Sequence, residues 1–137
     1  MALLDVNALV ALAWDSHVHH AAMRAWFQAN RDAGWATCPV TEAGFVRVSA
    51  NRRALPAAIS VDAARGVLAA MRGVGEHRFL SNDVSPCDAD VPPLAGHRQV
   101  TDAVLLTLAR RNGLRLVTFD AGAAALADAR DVELLAI

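Results

Sequence analysis

The 137-residue chain contains no lysine; all thirteen of its basic residues are arginine. Whatever codon bias contributes to this, every cation is a planar fork suited to phosphate or carboxylate. Cysteine is scarce. Cys38 and Cys87 are far apart and form no C-x-x-C pair, so nothing suggests a disulfide framework or a structural zinc site. Cys38 sits in an apolar, strand-like run and reads as a buried thiol. Net charge is nearly absent: the formal value of −1 excludes a globally basic protein, and any nucleic-acid site must rely on local patches. No apolar run is long enough to span a bilayer. The opening Met1-Ala2-Leu3-Leu4-Asp5 has no basic leader and places an acid in the first apolar run, unlike a signal peptide. A cytoplasmic protein without membrane attachment is expected.

What is present is a 55% hydrophobic, 20% charged composition, typical of a globular chain and too apolar for disorder. The length suits one domain spanning 1–137 with a single substantial core. Short apolar runs at 2–6, 35–38, 77–80, 114–119 and 132–137 predict strands. Helices are predicted at 7–14, capped by Asn7, at 18–30, from Thr41, after the cap Ser60, from Thr101 and at 121–127. Pro39 is expected to close the second strand, residues 51–58 to form a polar loop, and Asn112-Gly113 to stop the longest helix. Short strands separated by helices predict an α/β fold with a mostly parallel central sheet.

Four acids stand at the ends of these apolar elements: Asp5, Glu42, Asp102 and Asp120. Open parallel sheets bind ligands beyond the carboxyl ends of their strands, and all four can reach that end. Two like charges ~5 Å apart at an effective dielectric of ~20 repel by roughly 3 kcal/mol. A converging set therefore takes up protons or a cation. An all-oxygen donor set selects a hard ion, Mg2+ or Mn2+, and such an ion suits phosphodiester hydrolysis. Each acid also has a plainer role. Glu42 and Asp102 can complement helix dipoles, and Asp120 can cap the helix that follows it. Asp5 has no obvious structural task.

Leu3-Leu4-Asp5-Val6-Asn7, Thr41-Glu42, the run Gly96-His97-Arg98-Gln99-Val100-Thr101-Asp102-Ala103 and Leu116-Val117-Thr118-Phe119-Asp120 resemble the PIN domain. In particular they resemble the VapC-type toxins of bacterial toxin–antitoxin modules. The resemblance covers essentially the whole chain, in order and with ordinary spacing. It implies a three-layer α/β/α sandwich with a short five-stranded parallel sheet. It also implies a Mg2+- or Mn2+-dependent endoribonuclease acting on RNA, often a homodimer, inhibited by a small cognate antitoxin. Asp5, Glu42, Asp102 and Asp120 would be the acidic quartet, with Asn7 and Thr118 as its polar supports. Two departures bear on the rim: residues 81–91 match nothing transferable, and Ala121-Gly122 stands where many relatives have a charged or aromatic residue.

Among the remaining candidates, Arg47, Arg52 and Arg53 form the best local basic patch for phosphate contact, with a solvated face as the alternative. His17, His19 and His20 read as solvated or capping rather than as a metal cluster. His97 reads equally as a loop residue or a substrate contact. Trp14, Trp26 and Phe27 read as core or dimer interface. Arg110 and Arg111 suit the helix C-terminus they occupy, and Asp83, Asp88 and Asp90 read as solvated loop acids. Two rival functions remain. One is a PIN-like module that binds RNA or protein without cutting. The other is a haloacid-dehalogenase-type phosphatase, which would want an Asp where Asn7 stands and a lysine that the chain lacks.

Overall fold

The structure, a computed structural model, describes residues 1–93, 96–126 and 131–135. In chain order these form β1 (Ala2–Leu4), α1 (Val6–Ala13), α2 (His20–Asn30), β2 (Trp35–Thr37), α3 (Pro39–Ser49), α4 (Val61–Met71) and β3 (His77–Phe79). A 3-10 turn (His97–Gln99) then leads into α5 (Val100–Arg111), β4 (Arg115–Thr118), α6 (Ala121–Ala124) and β5 (Val132–Leu134). The five strands make one sheet in the order β3-β2-β1-β4-β5, and every pairing is parallel. This is the α/β fold with a helix-flanked parallel sheet expected from the alternation of short strands and helices.

Alternation along each strand divides the core into two layers. Ala2, Leu4, Trp35 and Val117 point to one side, where they meet Leu9, Met23, Phe27, Phe45 and Leu68 of α1 to α4. Leu3, Ala36 and Leu116 point to the other side, against Leu105, Leu106, Leu108 and Ala109 of α5. Both faces of the three central strands, β2, β1 and β4, are thus covered, which is why these carry almost unbroken apolar runs. Trp26 and Phe27 lie in this core. Trp14 is half-buried, stacks on Phe45 and donates its indole N–H to Ser49 Oγ at 2.9 Å. Cys38 is a buried free thiol.

Several boundaries differ from the sequence expectation for identifiable reasons. The cap of α1 is Asp5, whose carboxylate accepts the Val6 N–H at 2.7 Å; Asn7 lies one residue inside the helix. Pro39 begins α3 instead of only closing β2, because its fixed φ and missing N–H suit the first helical position. Helix α2 starts at His20, after a tight turn through residues 15–19. Ser60 does cap α4, accepting the Ala63 N–H at 3.0 Å. Helix α5 stops as anticipated at Asn112, followed by Gly113 at φ 70, a left-handed position that glycine fills without strain. Residue 127 of the expected last helix and residues 136–137 of the expected last strand lie outside the described residues. Helices α1 and α3 touch closely: a Cβ at Gly44 would lie 2.5 Å from Val6 Cγ2. Glycine there lets the start of α1 pack against the middle of α3.

Candidate active site

Strand β1 is the centre of the sheet, and the chain leaves it first toward β2 and β3, later toward β4 and β5. The crevice beyond the carboxyl ends of β1 and β4 is therefore the topological switch point, where parallel sheets hold ligands. Asp5 directly follows β1, and Asp120 stands two residues beyond β4. Asp102 reaches the same place from the first turn of α5. Together with Asn7, Arg47, Thr101 and His17 they line a cleft of about 410 Å³.

Asp5 is buried, at 7% exposure, and both of its oxygens are held. Oδ1 accepts the Val6 N–H, and Oδ2 accepts the Thr118 hydroxyl at 2.8 Å. Thr118 Oγ1 in turn accepts the Asp120 N–H at 3.0 Å, so one hydroxyl aligns two of the acids. Asn7 Oδ1 accepts the Phe119 N–H at 3.4 Å and ties α1 to the same loop. Asp120 also caps α6, taking the Gly122 N–H on Oδ1 at 2.8 Å.

The electrostatics follow from burial without a counter-charge. Burial pushes the Asp5 carboxyl up; the bonds from Thr118 and Val6 oppose this, and the charge of Asp120 adds to it. Asp102 is pushed up to about 6, by burial first, then by the charges of Asp5 and Asp120 and a hydrogen bond to Asp120. None of the three forms an ion pair with a described side chain. These are the groups that can receive a cation, and as oxygen donors they fit a hard one. Among the described residues, no three His, Cys, Asp or Glu side chains are near enough to one another to hold a metal ion as they stand. The aspartates share a field and a hydrogen bond, not a coordination sphere.

Glu42 is turned elsewhere. Its Oε2 accepts the Thr37 hydroxyl at 2.6 Å, and its Oε1 lies 3.5 Å from Arg72 Nη1. It lines a groove of about 730 Å³ between α3 and α4, walled by Val46, Val61 and Leu68 and rimmed by Arg47, Arg65 and Arg72. Arg47 belongs to both this groove and the acidic cleft. Arg52 and Arg53 are exposed in the turn after α3, beside Ala54 and Leu55 of the cleft wall. His97 lies exposed in the 3-10 turn.

Among the lining residues that sequence reasoning missed, His17 is the titratable one. It does not cap α2, whose N-cap His19 makes no side-chain cap bond; its Nδ1 accepts the His19 N–H at 3.1 Å within the preceding turn. His20 Nδ1 bonds the Ala11 carbonyl at 2.8 Å, and His19 stacks on Phe119. The histidines therefore brace a turn, yet one of them faces the cleft; only the packing of that turn on the loop after β4 could reveal it.

With this geometry established, comparison with known proteins adds the following. The family model described as PIN domain matches residues 2–129. The chain is 68% identical over 140 residues to Ribonuclease VapC38 of Mycobacterium tuberculosis, covering 100% of this chain and 99% of that protein. It is 48% identical over 139 residues to Ribonuclease VapC39 of the same species, covering 98% and 99%. A crystal structure of M. tuberculosis VapC20, titled a sarcin-ricin loop cleaving toxin, superimposes with a TM-score of 0.61 at 14% identity, over 91% of this chain and 94% of that one; that likeness concerns the fold. The chain belongs to the PIN-domain family and is closely related to the VapC-type toxins.

Proposed function

From this family membership, we propose that the protein is a Mg2+- or Mn2+-dependent endoribonuclease, the toxin of a type II toxin–antitoxin module, with 1–137 acting as one domain. The observation that carries the reading is the meeting of Asp5, Asp102 and Asp120 at the switch point, with the Asp5 and Asp102 carboxyls raised and no described counter-ion. Their oxygens would hold the ion, and Glu42 would join them on leaving Arg72. A bound divalent ion would lower the pKa of water and stabilise the charge that develops on a phosphate in transit.

The residues of the chain supply the remainder. Thr118 orients Asp5 and the Asp120 backbone at once, as a supporting partner of a metal-binding carboxylate should. Asn7 fixes the loop that carries Asp120. Arg47 in the cleft wall offers its fork to the RNA backbone, with Arg52 and Arg53 as rim contacts. The apolar α3–α4 groove adjoins the cleft through Arg47; it would take the C-terminal segment of a small antitoxin, with a cation from that partner near the acids. A homodimer and a cytoplasmic location complete the reading. Among the described residues no helix is long and apolar enough to cross a membrane.

One observation favours a second reading. Glu42 is engaged by Thr37 and Arg72 and not by the aspartates, as suits a module that binds RNA or protein without cutting. The discriminating experiment incubates purified protein with total RNA and Mg2+ or Mn2+, beside Asp5→Asn and Asp102→Asn. Metal-dependent cleavage lost in both variants supports the nuclease. Equal cleavage by all three would sink the aspartate site. Absence of cleavage, with no carboxylate-dependent uptake of Mn2+, would favour the binding module.

A further inference from the structure

Resting on the ribonuclease reading, we propose that a pocket beside the acidic cleft is a nucleobase subsite, in which His17 reads the base next to the scissile phosphate. The pocket is bounded by residues 16–18 and 54–57 and encloses about 290 Å³. That is the small end of ligand sites and suits one base, not a stretch of peptide. Its continuity with the cleft is direct, because His17, Ala54 and Leu55 line both. An RNA strand whose phosphate lies at the aspartates therefore has the pocket within reach of a neighbouring base.

The chemistry of the walls supports a base. Val18, Leu55 and Pro56 offer apolar walls to a flat ring, and Ser16 is the hydroxyl residue among the lining. His17 supplies an oriented donor. Its Nδ1 accepts the His19 N–H, so in the neutral ring the proton sits on Nε2. Burial, helped by His19 and His20, holds His17 below the usual histidine range, which keeps that neutral form at neutral pH. Nε2 has no partner among the described residues, and is left to donate to an acceptor on a base edge. The ring is also held in place. It lies 5.5 Å from His19, which stacks on Phe119 at 4.3 Å and 9°, and Phe119 directly precedes Asp120. A ladder of rings thus fixes His17 relative to an acid of the cleft. A three-histidine metal site is disfavoured, because Nδ1 of His17 and of His20 is already engaged.

The test measures binding first, so that it does not depend on turnover. Asp102→Asn protein without metal is titrated by fluorescence anisotropy with short labelled single-stranded RNAs, one homopolymer for each base. The expected result is a preference for one base, which His17→Ala weakens by about tenfold and levels. His17→Gln, which keeps an N–H donor, retains part of it. Ala57→Trp, at an exposed position, fills the pocket and has the same effect as His17→Ala; it carries the test if His17→Ala does not fold. Unchanged affinity and ranking in both His17→Ala and Ala57→Trp overturn the subsite. Cleavage mapping separates the two claims. Active His17→Ala protein with an unaltered base pattern beside the cut overturns the subsite and leaves the nuclease standing. Wild-type protein that binds with the expected His17 dependence but never cuts RNA removes the nuclease and leaves the base site.

Discussion

Helix α5 has a cluster of acids at each end, and the two are in opposite electrostatic states. At its N-terminus Asp5, Asp102 and Asp120 meet without a described counter-ion, and burial with mutual repulsion raises Asp5 and Asp102. At its C-terminus Arg111 holds the loop acids: Nη2 lies 2.9 Å from Asp88 Oδ2 and 2.6 Å from Asp90 Oδ1, with Nη1 3.9 Å from Asp83. Asp88 lies below the ordinary carboxylate range through the Ser85 N–H and then Arg111, and Asp90 chiefly through Arg111. Asp88 and Asp90, expected to be merely solvated, are therefore clamped, while Asp83 stays largely exposed as expected. The contrast separates two kinds of acidic cluster. One carries its own cation and fastens a loop. The other lacks it at the switch point of the sheet, where a ligand is expected.

The sharpest way to break this comparison is to neutralise one acid in each cluster. Asp102→Asn and Asp5→Asn should each lower the initial rate of RNA cleavage by at least about 100-fold, the loss expected when a metal ligand is removed. Asp90→Asn should leave the rate within about twofold. Equal losses in both clusters would end the distinction.

Next in size is the supporting hydroxyl. Thr118→Val keeps the strand's shape but removes the bond to Asp5 and the acceptor for the Asp120 N–H. Affinity for Mn2+, measured by calorimetry, should fall by about tenfold.

The clusters should also respond oppositely to pH. Asp5 and Asp102 are raised in the fold, so their contribution to metal-free stability is complete below the unfolded aspartate value of 3.8 and is lost as pH rises above it, through about 6 for Asp102. Asp88 and Asp90 are lowered, so theirs is present above 3.8 and is lost as pH falls below it. The melting temperature of metal-free protein should drop by a few degrees between about pH 4 and about pH 7. Saturating Mn2+ should recover most of that drop. A flat profile with no metal effect would contradict the unpaired state of the N-terminal cluster.

The smallest effect belongs to the satisfied end. Arg111→Ala should lower the melting temperature by a few degrees at most, as exposed ion pairs contribute little, and leave cleavage and Mn2+ affinity unchanged.

Much of this architecture was legible along the chain. Apolar runs at 2–6, 35–38 and 114–119 read as strands, observed at 2–4, 35–37 and 115–118, because a sheet covered on both faces tolerates little polarity. Ser60 and Asn112-Gly113 marked helix ends through local chemistry alone. The placement of Asp5, Glu42, Asp102 and Asp120 at element ends predicted a shared edge, and three of the four line one cleft there. Where reading failed, the deciding contact was distant in sequence or shared between roles. Asp5 took the cap assigned to Asn7, because one carboxylate can hold Val6 and Thr118 together. Glu42 began its helix as expected, but its direction depends on Thr37 and on Arg72 of another helix.

By itself, then, the order of residues determined which segments fold and which ends carry charge, since periodicity, caps and glycine act over a few neighbouring positions. Only the tertiary structure decided which charges meet. Strand order brought Asp120 beside Asp5 across 114 intervening positions, set Arg111 among the loop acids, and turned His17 from a turn residue into part of the cleft wall. Such meetings are governed by packing and by fields acting through space, and neither leaves a local trace in the chain.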